Sequence, residues 1–432
     1  MNVLIITTFF PPDTTIASVR PFMFAKYLQK AGHQVTVLRS GELINKADYT
    51  YDYTTLGIRV YSFLGEGCEA ERFMRGETLS QDNYGKRKLS GLPNCIRTPL
   101  VWCYRRLKFF KNLLDIKARV DLQKAWIDAH SDEHFDAVYA TYGSLENVYA
   151  GQYAAKVFGC KWILDLRDPI AQRNRDKVWE FPFYRWIQKK FILSADICTA
   201  VSNDLAEEVA EGTNVKPIAL HNGFEATMDK EAIMTPEDGI LRFCYTGIMY
   251  DDRSASSLFC AVRQLADEGN LTLDKVRFEY AGPHFEIIED QAKKYGVEKI
   301  LVNHDYVSRS EAYEIQCRSD VFLVLSWNTK YERGVLTGKF YEGIRARKPI
   351  LALLTGEKPY SELNLLNEKY RYGFCYETCR KEEQFQALRD WVQEAYTCKQ
   401  AEKPVPYDPK PELFTDFCYE NLTKKLEQIM QE

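Results

Sequence analysis

Thr337-Gly338-Lys339 opens a stretch that reads as a helix, and a helix start offers unpaired backbone N–H groups, here beside a lysine ammonium. That combination suits a phosphate-bearing ligand. Glu342 follows one turn later on the same face, where a carboxylate can accept a pair of hydroxyls. Gly247 and Gly282 each close an apolar run, where a residue without Cβ lets a ligand approach the backbone; both also fit simple turns. In the first half of the chain Asp165, Arg167 and Asp168 share one turn at the end of another apolar run. Asp168 could orient or deprotonate a hydroxyl, and Arg167 could fix a phosphate or hold Asp165. A purely structural Asp–Arg pair is the competing reading. Asp13 and Arg20 lie around the first loop.

Other chemistries lose support. The chain has no D-x-D, so the usual carboxylate clamp on a metal-bound diphosphate is missing, and no metal or other cofactor is expected. The 12 Cys include no C-x-x-C, the nearest pair being Cys375 and Cys379, which argues against a zinc site or a disulfide framework. Neither G-x-G-x-x-G nor a Walker A sequence follows a first strand. A net charge of -4 argues against nucleic-acid binding.

The elements that must position these residues are legible as patterns. A chain of 432 residues holds most simply two large domains, and 45% apolar with 27% charged residues is the balance of a folded protein. Residues 3–10 form a continuous apolar run, followed by a helix carrying Phe24, Tyr27, Leu28 and Ala31 and by a strand over 35–38. The alternation returns as strands at 135–141, 161–166 and 197–201, with helices at 146–158 and 182–194 between them. After a polar break at 236–239 a second series has strands at 241–246, 276–281, 321–325 and 349–353, with helices near 258–267 and 339–346. This is the signature of two doubly wound α/β domains joined near 225–240. Cys418, Leu422, Leu426 and Ile429 mark a final amphipathic helix.

One segment has an unusual charge. Between Tyr84 and Arg119 stand ten cations and one acid, Asp115. Within it Cys103, Leu107, Phe110 and Leu114 are spaced 4, 3, 4, with Trp102, Phe109 and Leu113 widening the apolar face among Arg105, Arg106, Lys108 and Lys111. The pattern fits a helix lying on anionic lipid, or one docked on its own domain with a solvated charged face. No apolar run reaches the 18 residues of a spanning helix, and the N-terminus lacks a basic region and cleavage site. A cytoplasmic protein, peripheral at the inner face of the cell membrane, is expected.

Four segments in order, MNVLIITTFFPPD with KAGHQVTVL, WILDLRDP, SADICTAVSNDL with LHNGFE, and GVLTGKFYEGIRARKPILAL, resemble the retaining glycosyltransferases of family 4. The resemblance implies the GT-B architecture: two facing Rossmann-like domains, an acceptor domain over 1–225 and a nucleotide-sugar donor domain over 226–411, with a helix over 412–432 crossing back to the first. It implies transfer of a sugar from a nucleotide diphosphate sugar to a saccharide hydroxyl, commonly on a lipid carrier, in cell-surface polysaccharide assembly. A non-catalytic nucleotide-binding module and a GT-B epimerase are the alternatives. Glu342 matches the second Glu of the family's Glu, seven residues, Glu motif, whose role is the ribose, with Thr337, Gly338 and Lys339 on the diphosphate. Arg253 falls where the family places a cation against the diphosphate. The position of the first Glu is Gly334, so either Glu332 reaches the donor sugar or backbone groups of 334–337 replace it. Many members carry a His in the loop where this chain reads Gly143-Ser-Leu-Glu-Asn147, and His221 marks the hinge. Lys339, Arg253 and Asp168 are then the expected catalytic residues, with Asp13, Arg20, Asp165 and Arg167 on the acceptor side.

Overall fold

The apolar runs become strands buried on both faces. In a computed structural model, describing residues 1–13, 15–40, 51–62, 94–226 and 235–432, thirteen strands form two parallel sheets. The first contains β1 (Asn2–Thr7), β2 (Gln34–Arg39), β3 (Arg59–Ser62), β4 (Ala137–Tyr142), β5 (Lys161–Leu166), β6 (Ile197–Ala200) and β7 (Ile218–Ala219), in the order β3-β2-β1-β4-β5-β6-β7. The second contains β8 (Leu241–Thr246), β9 (Val276–Ala281), β10 (Leu301–Asn303), β11 (Val321–Trp327), β12 (Ile350–Thr355) and β13 (Gly373–Glu377), in the order β10-β9-β8-β11-β12-β13.

Alternate residues of one strand feed two cores, which is why the runs are uninterrupted rather than alternating. Leu4 and Ile6 of β1 enter one cluster with Val138 and Leu164, while Val3 and Ile5 enter another with Phe24 and Leu28 of the Ile16–Lys30 helix. β11 divides likewise, Val321, Leu323 and Leu325 facing one side and Phe322 and Val324 the other. The first strand stops three residues short of the run that announces it. Thr7 Oγ1 donates to the Phe9 carbonyl at 3.0 Å, and Phe10 turns inward against Phe22 and Tyr53.

The C-terminal segment crosses between the sheets. Leu413 and Phe417 are buried with the second sheet's core, whereas Tyr419, Leu422, Leu426 and Met430, on the Tyr419–Gln431 helix, are buried with the first. Phe224 N–H donates to the Phe417 carbonyl, and Tyr419 N–H to that of Phe224, each at 3.0 Å, so the outgoing and returning chains are stitched together. The architecture is α/β, with two Rossmann-like sheets flanked by helices and a last helix returning to the first sheet.

The basic segment forms the second half of the expectation differently. Its residues 84–93, with Lys86, Arg87 and Lys88, lie outside the described residues; from Asn94 to Ala129 it is one helix of 36 residues. That helix docks through Phe109, Val120, Gln123 and Ile127, all buried, while Cys103, Leu107, Phe110 and Leu114 point outward. Of the apolar face read from the sequence, Phe109 packs on the domain, whereas Cys103, Leu107, Phe110 and Leu114 do not.

Candidate functional site

The ends of β8 and β9 meet at two glycines. Gly247 has φ +139° and Gly282 φ +151°, outside the ordinary range of residues with a Cβ. A Cβ on Gly282 would overlap the Gly247 carbonyl, and one on Gly247 would come within 2.7 Å of Lys339 Cε. The space they leave is thus used by the protein's own atoms, letting the lysine lie across the strand end.

Lys339 belongs to the Gly338–Arg345 helix, which follows β11 through an extended Thr337. The Thr337 hydroxyl is buried with no hydrogen-bond partner among the described residues. Lys339 Nζ donates to both carboxylate oxygens of Glu342 at 2.8 Å. Gln316 Nε2 donates to Glu342 Oε2 at 2.8 Å and to Thr246 Oγ1 at 2.7 Å. A helix start, a cation and a carboxylate are in this way tied to the end of β8 and share one wall of a cleft of about 740 Å³.

The cleft runs between the sheets. Of the residues singled out from the sequence, Arg20, Arg167, Asp168, Gly247, Gly282, Glu332, Gly338, Lys339 and Glu342 line it. Asp13, Asp165, Arg253 and Thr337 are not among its lining. Arg253 sits behind the loop that follows β8, where Nη1 donates to Tyr245 Oη at 2.7 Å and to the Ile248 carbonyl at 2.9 Å. Its guanidinium also lies over the Tyr250 ring. It braces that loop through these contacts and also lies over the Trp327 ring.

Glu332 accepts from Trp327 Nε1 at 2.9 Å and reaches Arg175 of the opposite wall at 3.8 Å. Gly334, eight positions before Glu342, explains why no glutamate stands there. Its φ is +65°, and a Cβ would overlap Ser202 Oγ and lie 2.6 Å from Asp204 Cβ on the other side of the cleft. The two walls touch at that glycine, and Glu332, two residues earlier, lines the cavity.

On the first-sheet wall the charges are occupied. Asp165 and Arg20 form a bidentate pair at 2.7 and 3.0 Å, both fully buried. Thr199 Oγ1 donates to the same carboxylate at 2.7 Å, and Arg20 donates to the carbonyls of Leu220 and His221 at 2.9 Å. Burial alone would push the Asp165 carboxyl up, but the Arg20 charge and these hydrogen bonds hold it below the usual range. The pair clamps the interdomain strand onto the sheet. Arg167 donates to the Ala17 carbonyl at 2.9 Å, and burial lowers its pKa. Asp13 accepts from Thr15 N–H at 2.9 Å and shapes the turn into the first helix. Asp168 is the exposed carboxylate of the set.

Several site residues have no local signature in the sequence. Glu362 is buried and accepts from Asn203 N and Nδ2 at 2.9 Å, from Asp204 N at 3.0 Å and from His221 Nε2 at 2.9 Å. It sits at the N-terminus of the Asn203–Ala210 helix, joining the walls by charge and hydrogen bonds. His221 stacks edge-on against Phe417 and acts in this hinge joint. Glu208, which lines the cleft, is pushed up to about 7 by burial, against the pull of Arg333; burial and Glu362 raise Asp204 to about 6. Only the folded chain brings Glu362 to residues some 140 to 160 positions earlier.

No family model matches the chain, and no curated protein matches it. Solved structures do. A lipopolysaccharide outer core galactosyltransferase, WaaB, in apo form is similar at a TM-score of 0.60 and 11% identity, over 100% of this chain and 99% of that one. Anabaena HepE in complex with UDP and glucose gives 0.59 and 11%, over 100% and 99%. The sucrose-phosphate synthase of Thermosynechococcus elongatus gives 0.60 and 11%, over 100% and 98%. With two facing parallel sheets, a cleft between them and a returning C-terminal helix, the chain has the GT-B fold.

Proposed function

We propose that the chain is a retaining glycosyltransferase that moves a sugar from a nucleotide diphosphate sugar to a hydroxyl of a lipid-linked saccharide, in cell-surface polysaccharide assembly. Residues 226–411 take the donor and residues 1–225 the acceptor. The observation that supports this most is the Thr246–Gln316–Glu342–Lys339 chain of hydrogen bonds at a helix start facing the cleft. A protein sharing this fold, HepE, is solved in complex with UDP and glucose.

In this reading Glu342 accepts the ribose hydroxyls, and Lys339 turns from Glu342 toward the diphosphate beside the first N–H groups of the Gly338–Arg345 helix. The bond between the anomeric carbon and the phosphate oxygen breaks with its electron pair passing to the diphosphate. The acceptor oxygen bonds the anomeric carbon on the same face, and its proton passes to the departing phosphate oxygen. Negative charge grows on the diphosphate as the bond breaks, so a fixed ammonium and a helix start lower the barrier. Asp168, exposed on the opposite wall, orients the acceptor hydroxyl. Arg253 acts indirectly, by bracing the loop after Gly247. No divalent metal is required.

Thermal-shift screening against UDP, GDP, dTDP and ADP sugars tests the reading, with one nucleotide class expected to raise Tm. That donor, a lipid-linked saccharide and excess EDTA should then yield product with the donor's anomeric configuration by proton NMR. Stabilisation without transfer under any condition leaves a binding module, and transfer only on adding magnesium or manganese overturns the metal-free step.

A further inference from the structure

The 36-residue helix over Asn94–Ala129 carries two apolar stripes, and the fold uses one. Phe109, Val120 and Ile127 are buried against the first domain. About a third of the way round the helix, Cys103, Leu107, Phe110 and Leu114 fall within roughly 60° of one another. These side chains are uncovered, with Leu107 69% and Phe110 60% exposed. Lys111 edges this stripe on one side, with Lys108 further round; on the other edge Lys117 is paired with Asp121 at 2.6 Å and Arg106 lies over the Trp179 ring. The helix carries eight cations and three acids, Asp115, Asp121 and Asp128, the last two toward its C-terminal end.

A second helix packs beside the first and leaves apolar side chains of its own uncovered. Phe109 packs on Phe183 with ring centroids 5.5 Å apart and on Trp179 at 4.9 Å, and Phe183 lies 6.5 Å from Trp186. Phe110, 5.8 Å from Phe109, begins an aromatic chain that ends at Trp186, itself 59% exposed. On the Phe181–Ser194 helix Trp186 and Leu193 stand seven residues apart and exposed, with Lys189 and Lys190 beside them and no acid along the helix. Neither cluster is explained by the clefts or cores of the fold. Apolar side chains uncovered on two neighbouring helices would ordinarily be expected to be partnered.

We propose that these two helices form one docking face for an anionic lipid bilayer. The occupant follows from charge and shape. Leu107, Phe110, Leu114, Trp186 and Leu193 suit shallow insertion at the boundary between headgroups and acyl chains, and the neighbouring Lys108, Lys111, Lys189 and Lys190 suit anionic headgroups. A neutral protein partner would not call for Lys108 and Lys111 on the basic helix together with Lys189 and Lys190 on its neighbour. The face also lies beside the cleft: Asn174 lines the cavity and Trp179 packs on the basic helix, five residues on, so their Cα atoms are at most about 18 Å apart. Resting on the proposed function, this places the mouth of the acceptor side at the membrane surface, where a lipid-linked saccharide resides. Among the described residues no helix is long and apolar enough to cross a bilayer.

Flotation of the full chain with vesicles tests the proposal without any acceptor, so its failure is separate from failure of the transferase reading, which nucleotide titration reports. Wild type should float with phosphatidylglycerol vesicles and not with phosphatidylcholine vesicles, and release as salt rises toward 1 M. Three variants divide the face: Lys108→Glu with Lys111→Glu, Leu107→Ser with Phe110→Ser, and Trp186→Ser with Leu193→Ser. Each should lower vesicle affinity at least about fivefold, the charge pair by about 25-fold or more, with thermal unfolding and nucleotide affinity unchanged. Binding by wild type that the first two variants leave intact overturns the proposal. So does a concentration-dependent dimer abolished by Leu107→Ser with Phe110→Ser, which makes the face a contact between copies. Loss with the basic helix but not with Trp186→Ser and Leu193→Ser overturns the two-helix face and confines docking to one.

Discussion

The two walls of the cleft use the same device, charged residues at the ends of parallel strands, for opposite purposes. On the second-sheet wall Lys339 and Glu342 are paired but reachable, their side chains 23% and 28% exposed. On the first-sheet wall Arg20 and Asp165 are paired and sealed, with every strong hydrogen bond directed at the protein itself. A pair that a ligand is to open must stay near water, because parting a buried pair leaves an uncompensated charge. The strand end therefore locates charged residues without saying what they do. Burial separates a binding group from a clamp.

Breaking the sealed pair should have the largest effect. Asp165→Ala leaves the Arg20 guanidinium buried without its counter-ion and should cost about 3 to 5 kcal/mol of unfolding free energy, read by urea denaturation. The folded pKa of Asp165 lies below its unfolded value. Its contribution is therefore fully present above the unfolded pKa, near about 4, and lost as pH falls through the folded one. The variant should accordingly show a flatter acid limb than wild type. If Asp165→Ala instead keeps full stability and loses only activity, the contrast between the walls is wrong.

Opening the reachable pair should spare stability and cost binding. Glu342→Ala removes charge-assisted bonds to the ribose worth about 1.5 to 3 kcal/mol, weakening nucleotide affinity roughly 10- to 150-fold by calorimetric titration. Unchanged affinity in the folded variant would remove Glu342 from the donor site.

The smallest effect sharpens the comparison at the line where the walls meet. Glu208 is raised to about 7 by burial, so between about pH 4.5 and 7 the folded chain binds more protons than the unfolded one and stability falls as pH rises through that window. Glu208→Gln should raise stability at pH 8 by about 1 kcal/mol or less, given its partial exposure to solvent, and flatten the dependence of Tm on pH between 5.5 and 8. An unaltered slope would assign that titration to Asp204, raised to about 6 beside it.

Much of the fold was legible because its strands are buried on both faces. Runs such as Lys161–Leu166, Leu241–Thr246 and Val276–Ala281 have the bounds that their apolar character announces. The short edge strands Arg59–Ser62 and Leu301–Asn303 were not legible, since neither has an interior apolar pair buried enough to mark it. The long basic helix was found in part, and the sequence left open whether its apolar face meets lipid or the domain. Its two stripes are both apolar, and periodicity cannot say which one meets Trp179 and Phe183. At the site, Lys339 and Glu342 were legible as a pair because they stand three positions apart on one helix. Arg253 was set against the diphosphate by the family resemblance, and its side chain donates to Tyr245 and the Ile248 carbonyl.

What the sequence by itself determined is therefore local: strands from unbroken apolar runs, helices from their period, and the neighbours Thr337, Gly338, Lys339 and Glu342 on one helix turn. What only the tertiary structure decided depends on groups far apart in the chain. Gly334 must lack a Cβ because Ser202 and Asp204 arrive against it. Glu362 becomes a joint because His221, Asn203 and Asp204 converge on it. Asp165 becomes a clamp because Arg20 reaches it from 145 residues away. Backbone and side-chain periodicity are short-range properties written in adjacent residues, whereas desolvation and charge pairing depend on which distant segments exclude water from a given atom, and that is settled only when the two sheets and the returning helix are packed together.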